Sequence, residues 1–447
     1  MKRQAISYGI GAIAKDMVYA LVSGFILYYY NTVLGISATF TGIMMMAARV
    51  FDAFNDPFMG VIVEKTHTKY GKFRPWIFSG TLLNALVLYG MFAMPNLNQP
   101  MNLVYASVFY VLWGVTYTMM DIPFWAMIPS LTDSGKEREN ISVVGRTCAS
   151  IGFAIPTILT MLVVTKIGAN EREGFRVFAL VIALLFAIME TICVCGIKEK
   201  EVTNTKSASV KEMFQALFDN DQAMVVVVGI ILFNASLYLT TQLALYFFKY
   251  DIGDSSLYSL FGTIGGVGQI LSMMSLPMLR KKWSSKNILT GGIGVTILGY
   301  LLLFLLGTIG SRNIVLLALS AFIIYIGFGL TTVLTTVFLA DSVDYGEYKS
   351  GQRNESVIFS MQTFVVKLAS AISVLIAGIG IDLIGLDQQA TIQSSTTLFG
   401  LRFMMTIIPI VGLIISVLYM RKKYILTEEK NAEIATFLRN KHDHNQG

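Results

Sequence analysis

Residues 48–60 read ARVFDAFNDPFMG. The stretch lies inside an apolar run long enough to cross a bilayer, yet it holds Asp52, Asn55 and Asp56. A charged side chain at mid-bilayer costs about 2.5–3.5 kcal/mol on insertion scales. Asp52 and Asp56 stand at i and i+4, and Asn55 at i+3 from Asp52, so a helix gathers all three on one face. Two bare carboxylates one turn apart repel each other. Clustered carboxylate and amide oxygens are also ligands for a hard cation. The stretch reads as a transmembrane helix whose polar face holds a cation or a proton.

The rest of the chain supports that setting. It has 447 residues, is 54% hydrophobic and only 14% charged, where a soluble protein carries about 25% charged residues. Apolar runs recur at roughly 8–30, 36–64, 75–94, 102–131, 142–166, 177–196, 223–248, 255–279, 288–309, 313–338, 356–385 and 398–419. They are continuous and do not alternate with period two, which argues for helices and against an outer-membrane barrel. The first run, following MKRQAISYG, reads as a retained helix rather than a cleaved signal.

The expected fold class is an all-α polytopic membrane protein of twelve helices in two six-helix halves around a central cavity. A polar linker at 198–222, KEKEVTNTKSASVKEMFQALFDNDQ, separates the halves 1–197 and 223–420, and 421–447 forms a tail. A short surface helix is expected around Val210 to Phe218. Basic residues collect in alternate loops: Lys2 and Arg3, Lys65 to Arg74, Lys136 and Arg138, Arg280 to Lys286, and Arg421 to Lys423. By the positive-inside rule both termini and the linker face the cytoplasm of a cell-membrane protein. A basic loop follows the second span of each half, EKTHTKYGKFRP and RKKWSSKN. Such an echo is expected of a six-plus-six duplication.

The net charge of +6 has a topological meaning. No basic patch interleaves with exposed aromatics, so nucleic acid is not an expected partner. Cys148, Cys193 and Cys195 form neither a zinc pair nor a C-x-x-C. No P-loop or G-x-S-x-G elbow occurs, and neither an enzyme nor a cofactor is expected.

Further charges sit inside spans: Lys15 and Asp16 in the first, Asp121 in the fourth, Arg146 in the fifth and Lys367 in the eleventh. Tyr117, Asp121 and Trp125 fall at i, i+4 and i+8, with Thr118 three residues before Asp121. A carboxylate beside an indole suits a sugar, whose hydroxyls donate to the acid while the ring covers its apolar face. Asp16, Asp52, Asp56 and Asp121 against Lys15, Arg146 and Lys367 leave one negative charge, which one bound Na⁺, Li⁺ or H⁺ would neutralise. Purely structural readings stand beside these. Arg146 could pair only to lock helices, and Lys15 could snorkel to the interface.

The chain resembles the glycoside–pentoside–hexuronide:cation symporters of the major facilitator superfamily, and among them the melibiose permeases. The resemblance covers nearly the whole chain. It is carried by SYGIGAIAKD (7–16), residues 48–77, YVLWGVTYTMMDIPFWAMIP (110–129), ADSVDYGEYK (340–349) and SMQTFVVK (360–367). It implies a coupling-cation site at Asp52 and Asp56, helped by Asn55 and Thr118. It implies a galactoside site at Lys15, Asp16, Asp121, Trp125 and Arg146, with Lys367, Gln362 and Thr363 lining the cavity. The implied activity is uptake of a galactoside such as melibiose, driven by Na⁺, Li⁺ or H⁺, by a monomer working through alternating access. Another glycoside, a pentoside or a glucuronide is the alternative substrate; a lysolipid transporter or a non-transporting sugar sensor is a remote one. One departure bears on the sugar. Thr332 stands where these permeases carry a tryptophan, which removes an aromatic wall and admits a larger or differently shaped glycoside. The basic loops are expected to pair with acids such as those of ADSVDYGEYK.

Overall fold

The computed structural model describes every residue except 1, 132–134, 200–214, 216, 217, 351–354, 389, 391 and 447. The surface helix expected around Val210 to Phe218 therefore lies outside the described residues apart from Gln215 and Phe218. No strand occurs among the described residues. Thirteen helices are described here: α1 Lys2–Tyr28, α2 Ala38–Glu64, α3 Arg74–Phe92, α4 Gln99–Ala126, α5 Gly135–Val164, α6 Glu171–Gly196, α7 Asp221–Tyr246, α8 Leu257–Leu279, α9 Ser285–Thr308, α10 Ile314–Ser350, α11 Glu355–Leu383, α12 Ser395–Lys423 and α13 Glu428–Gln446. Among the described residues eleven helices are long and apolar enough to cross a bilayer. Outside that set are α2, which carries Arg49, Asp52 and Asp56, and the polar α13.

The chain forms two compact units. One comprises residues 1–207 with 381–391, the other 208–380 with 392–447.

In the first unit α1 packs against α5 and α6, α3 against α4 and α6, and α2 along α4. Lipid supplies no hydrophobic drive between helices, so close approach of small residues holds such a bundle together. The α1–α5 contact shows how close. A Cβ on Gly152 would lie 2.2 Å from the Ile13 carbonyl oxygen. The loop before α3 is tied down by one acid. Glu199 accepts the backbone N–H groups of Lys72 (2.6 Å), Phe73 (3.1 Å) and Arg74 (2.7 Å). These are donors that a helix start leaves without intrahelical partners.

In the second unit α10 packs against α8 and α9, and α7 against α12. The span expected over 313–338 is only the first part of α10, which runs on to Ser350. ADSVDYGEYK therefore forms its last turns. Within it Lys349 pairs with Asp221 at 2.6 Å, and Asp341 accepts from Tyr424 and Asn431 and lies within the field of Arg280 of the basic loop. The loop before α9 is held by Glu428 of α13, which accepts the Ser285 N–H at 2.7 Å.

A clearer internal repeat than the basic loops emerges at the ends of α1 and α7. LYYYNTVLGIS (27–37) and LYFFKYDIGDS (245–255) align 218 positions apart, as Tyr28 with Tyr246 shows. Each helix widens there into a π turn, Tyr29–Val33 and Phe247–Ile252. Each turn closes with the same bond, Ile36 N–H to the Tyr30 carbonyl and Asp254 N–H to the Phe248 carbonyl, both 2.9 Å. Gly35 and Gly253 follow at φ 70° and 83°, a region that residues with a Cβ seldom adopt.

Candidate functional site

Lys15 is the centre of the polar interior of the first unit. It is only 3% exposed. Its Nζ donates to Asp121 Oδ1 at 2.7 Å and lies 3.1 Å from Asp16 Oδ2. One ammonium thus bridges acids from α1 and α4. A buried ammonium without partners is costly, and two carboxylates side by side repel; the triad relieves both problems. Lys15 is therefore paired inside the bundle rather than snorkelling to the interface.

Aromatic rings surround the triad. Nζ of Lys15 lies 4.7 Å from the Trp125 ring centre, and the Arg146 guanidinium 4.3 Å from the same ring. Trp125, expected as a sugar platform, holds two cations against its π face in this structure. Tyr8 braces the group from α1, donating to the Phe124 carbonyl at 3.1 Å and stacking on the Phe124 ring. Lys15, Asp16, Asp121, Trp125 and Arg146 are thus brought together from α1, α4 and α5.

The second cluster runs along the α2–α4 contact. Asp52 is 7% exposed and packs on Gly114, where a Cβ would come within 2.7 Å of Oδ1. Asp56 accepts the Thr118 hydroxyl at 3.3 Å. Gly114 and Thr118 are i and i+4 on α4, as Asp52 and Asp56 are on α2. The two aspartates therefore meet α4 in register, one turn apart. Asn55 is half-buried beside Asp56. Carboxylate, amide and hydroxyl oxygens suit a hard monovalent ion. Among the described residues no three His, Cys, Asp or Glu side chains converge to hold a metal.

Gln362 and Lys367 lie on α11 in the second unit, and the Gln362 amide donates to Thr336 of α10 at 3.3 Å. The side chain of Thr363 lies outside the described residues. Thr332 is half-buried, and its hydroxyl donates to the Phe328 carbonyl of its own helix at 2.8 Å.

Two interior charges of the first unit escaped the sequence reading. Arg49, 6% exposed, lies one turn before Asp52, with its guanidinium 5.3 Å from the Tyr19 ring centre and 5.9 Å from that of Trp113. Glu190 of α6 is fully buried. The sum of seven interior charges therefore omitted these two, and in the second unit the largely buried Asp251–Arg402 pair, 2.6 Å apart. Arg49 was visible in the opening stretch, three residues before Asp52. Glu190 was visible as a lone acid in LLFAIMETICVC.

Comparison with known proteins places these clusters in a family. An isoprimeverose transporter from Lactiplantibacillus pentosus is 29% identical over 414 residues, spanning 92% of this chain and 86% of its own. A raffinose carrier protein from Pediococcus pentosaceus is 29% identical, spanning 96% of this chain and 70% of its own. Among solved structures, a mutant form of the nucleoside transporter NupG superposes with a TM-score of 0.67 at 14% identity, covering 94% of this chain and 99% of that one. This likeness shows the fold. The profile of a family described as MFS/sugar transport protein matches residues 7–428. That match takes in both interior clusters and all twelve long helices, and the chain accordingly belongs to this family of membrane sugar symporters, which are transporters and not enzymes.

Proposed function

We propose that the chain imports a glycoside by alternating access, coupled to inward movement of Na⁺, Li⁺ or H⁺. The observation that carries this reading is the shared use of α4. Gly114 and Thr118 meet the aspartates of α2, and Asp121 and Trp125, on the next turns, meet Lys15 and Arg146. In this reading Asp52, Asn55, Asp56 and Thr118 hold the cation. Lys15, Asp16, Asp121, Trp125 and Arg146 hold the sugar, with Gln362, Thr363 and Lys367 contributing from the second unit.

The Lys15 triad makes the sugar step concrete. Sugar hydroxyls donate to Asp16 and Asp121 and accept from Arg146, replacing part of the ion pairing. A cation at Asp52 and Asp56 quenches their repulsion first. One charge crossing 100 mV supplies about 2.3 kcal/mol, enough for roughly fifty-fold accumulation at about 1.4 kcal/mol per decade. The expected setting is the cell membrane, with both termini cytoplasmic, and the expected working unit is a monomer.

Isoprimeverose and raffinose, in the names of the two relatives, are both glycosides, and the resemblance to melibiose permeases favours a galactoside. Thr332 leaves room for a substrate larger than melibiose. The test is uptake of melibiose, raffinose, lactose and isoprimeverose into energised vesicles, with and without Na⁺ or Li⁺ and across a pH gradient. Cation-stimulated uptake of at least one, lost in Asp56→Cys, supports the reading. Uptake insensitive to every cation, or unchanged in Asp56→Cys, rejects it.

A further inference from the structure

Glu190 is an ionisable group that the symport scheme leaves without a task. Its side chain has no exposed surface, and among the described residues neither carboxyl oxygen has a hydrogen-bond partner. Oε2 lies against Gly11 of α1, where a Cβ would come within 2.9 Å of it, and Cys193 crowds the same glycine. No larger residue at position 11 would leave the carboxyl its place.

Gly11 precedes Lys15 by four residues, so Glu190 packs on α1 about one helical turn before the residue whose ammonium bridges Asp16 and Asp121. The charges of Lys15, Asp121 and Asp16 all reach it, and Tyr8, Tyr117 and Cys193 sense it in return. The other packed helices bring groups already engaged. Arg74 of α3 donates to the Val194 carbonyl, Arg146 of α5 lies over Trp125, and Cys148 of α5 faces Gly9. Lys15 is committed to its two aspartates. A carboxylate at this place has given up its water and gained no donor in return, and the neutral acid pays a far smaller desolvation penalty.

We propose that Glu190 is a proton-binding site, separate from the Asp52–Asp56 group, that carries a proton in this arrangement and exchanges it under the influence of the Lys15–Asp16–Asp121 cluster. The ligand is H⁺, bound to a carboxyl oxygen and released from the same atom. The assignment rests on burial and placement and is independent of which sugar is carried.

Infrared spectroscopy of the full chain in lipid vesicles at neutral pH tests it. The wild-type spectrum minus that of Glu190→Gln is expected to leave one carboxylic-acid C=O band per chain. In heavy water that band is expected to shift, because the proton exchanges. Glu190→Asp, which keeps an acid at the position, should move the band in frequency without removing it, and it decides the matter if the glutamine variant fails to insert. Carboxylate stretches in the difference spectrum would show an ionised Glu190 and overturn the proposal. A C=O band that never shifts in heavy water would show a sealed structural acid and overturn it equally.

Discussion

Lys15 and Asp121, 106 residues apart in sequence, meet at 2.7 Å with Lys15 almost wholly buried and Asp121 26% exposed. The acid is therefore the accessible end of the pair and the ammonium its fixed anchor. An incoming hydroxyl reaches Asp121 before it reaches Lys15.

Asp121→Asn should abolish sugar binding while leaving the bundle folded. Breaking a fully buried pair costs about 3–5 kcal/mol. The loss here should be smaller, about 1–3 kcal/mol, because Asp121 is partly solvated and Lys15 keeps Asp16. Equilibrium binding and thermal melting in detergent measure the two effects. Wild-type affinity in Asp121→Asn would remove this residue from the sugar site.

Thr118→Val keeps the shape and deletes the hydroxyl that donates to Asp56. Cation affinity should fall about tenfold, the lower range for a hydrogen bond to a charged group, and Thr118→Ser should restore it. Gly114→Ala should do at least as much, since its Cβ would displace the Asp52 carboxylate. Sugar binding titrated against Na⁺ and Li⁺ checks both variants. Unaltered cation curves would place the ion elsewhere.

Thr332→Trp restores the aromatic wall that the resemblance leads one to expect. Uptake of the trisaccharide raffinose should fall relative to the disaccharide lactose by about tenfold, the scale on which a pocket wall discriminates size. Competition between the two labelled sugars in one vesicle preparation gives the ratio. An unchanged ratio would mean that position 332 does not face the substrate.

Glu428, outside the membrane, anchors α13 by accepting the Ser285 N–H. Burial alone would push its carboxyl up, but that hydrogen bond and its own backbone N–H together hold it below the usual range. A depressed folded value means the anchoring is fully present above the unfolded value and is lost as pH falls through the folded one. Acidification below about pH 4.5 should therefore loosen α13. Proteolysis of the tail, followed against pH, should show an acid-induced rise in wild type. Glu428→Gln should cleave at a rate independent of pH across that range.

What could be read from the sequence follows from how local the signal is. The α2 face was legible because Asp52, Asn55 and Asp56 share one helix and one period, and their partners Gly114 and Thr118 repeat that period on α4. The Lys15 cluster was legible only as separate charges that needed an interior. Glu190 was visible as a lone acid, but its adjacency to Gly11 arises from the packing of α1 on α6, which no periodicity reports. The duplication was sought in basic loops, whose composition drifts freely. It is better kept at the ends of α1 and α7, where a π turn and a positive-φ glycine constrain the residues. Within that repeat Lys15 and Asp16 align with Phe233 and Asn234, so at these two positions the charge belongs to the first half alone.

Because one continuous helix, α4, carries Gly114, Thr118, Asp121 and Trp125, it sets the spacing between two chemistries. Inserting a single residue between Thr118 and Asp121 would rotate everything beyond it by about 100°. Asp121 would then point away from Lys15 while Asp56 kept its hydroxyl. Under the proposed assignment such a chain should keep its ion site and lose its sugar site. In the proposed scheme the distance between the two clusters, counted in residues, matters as much as any side chain in either.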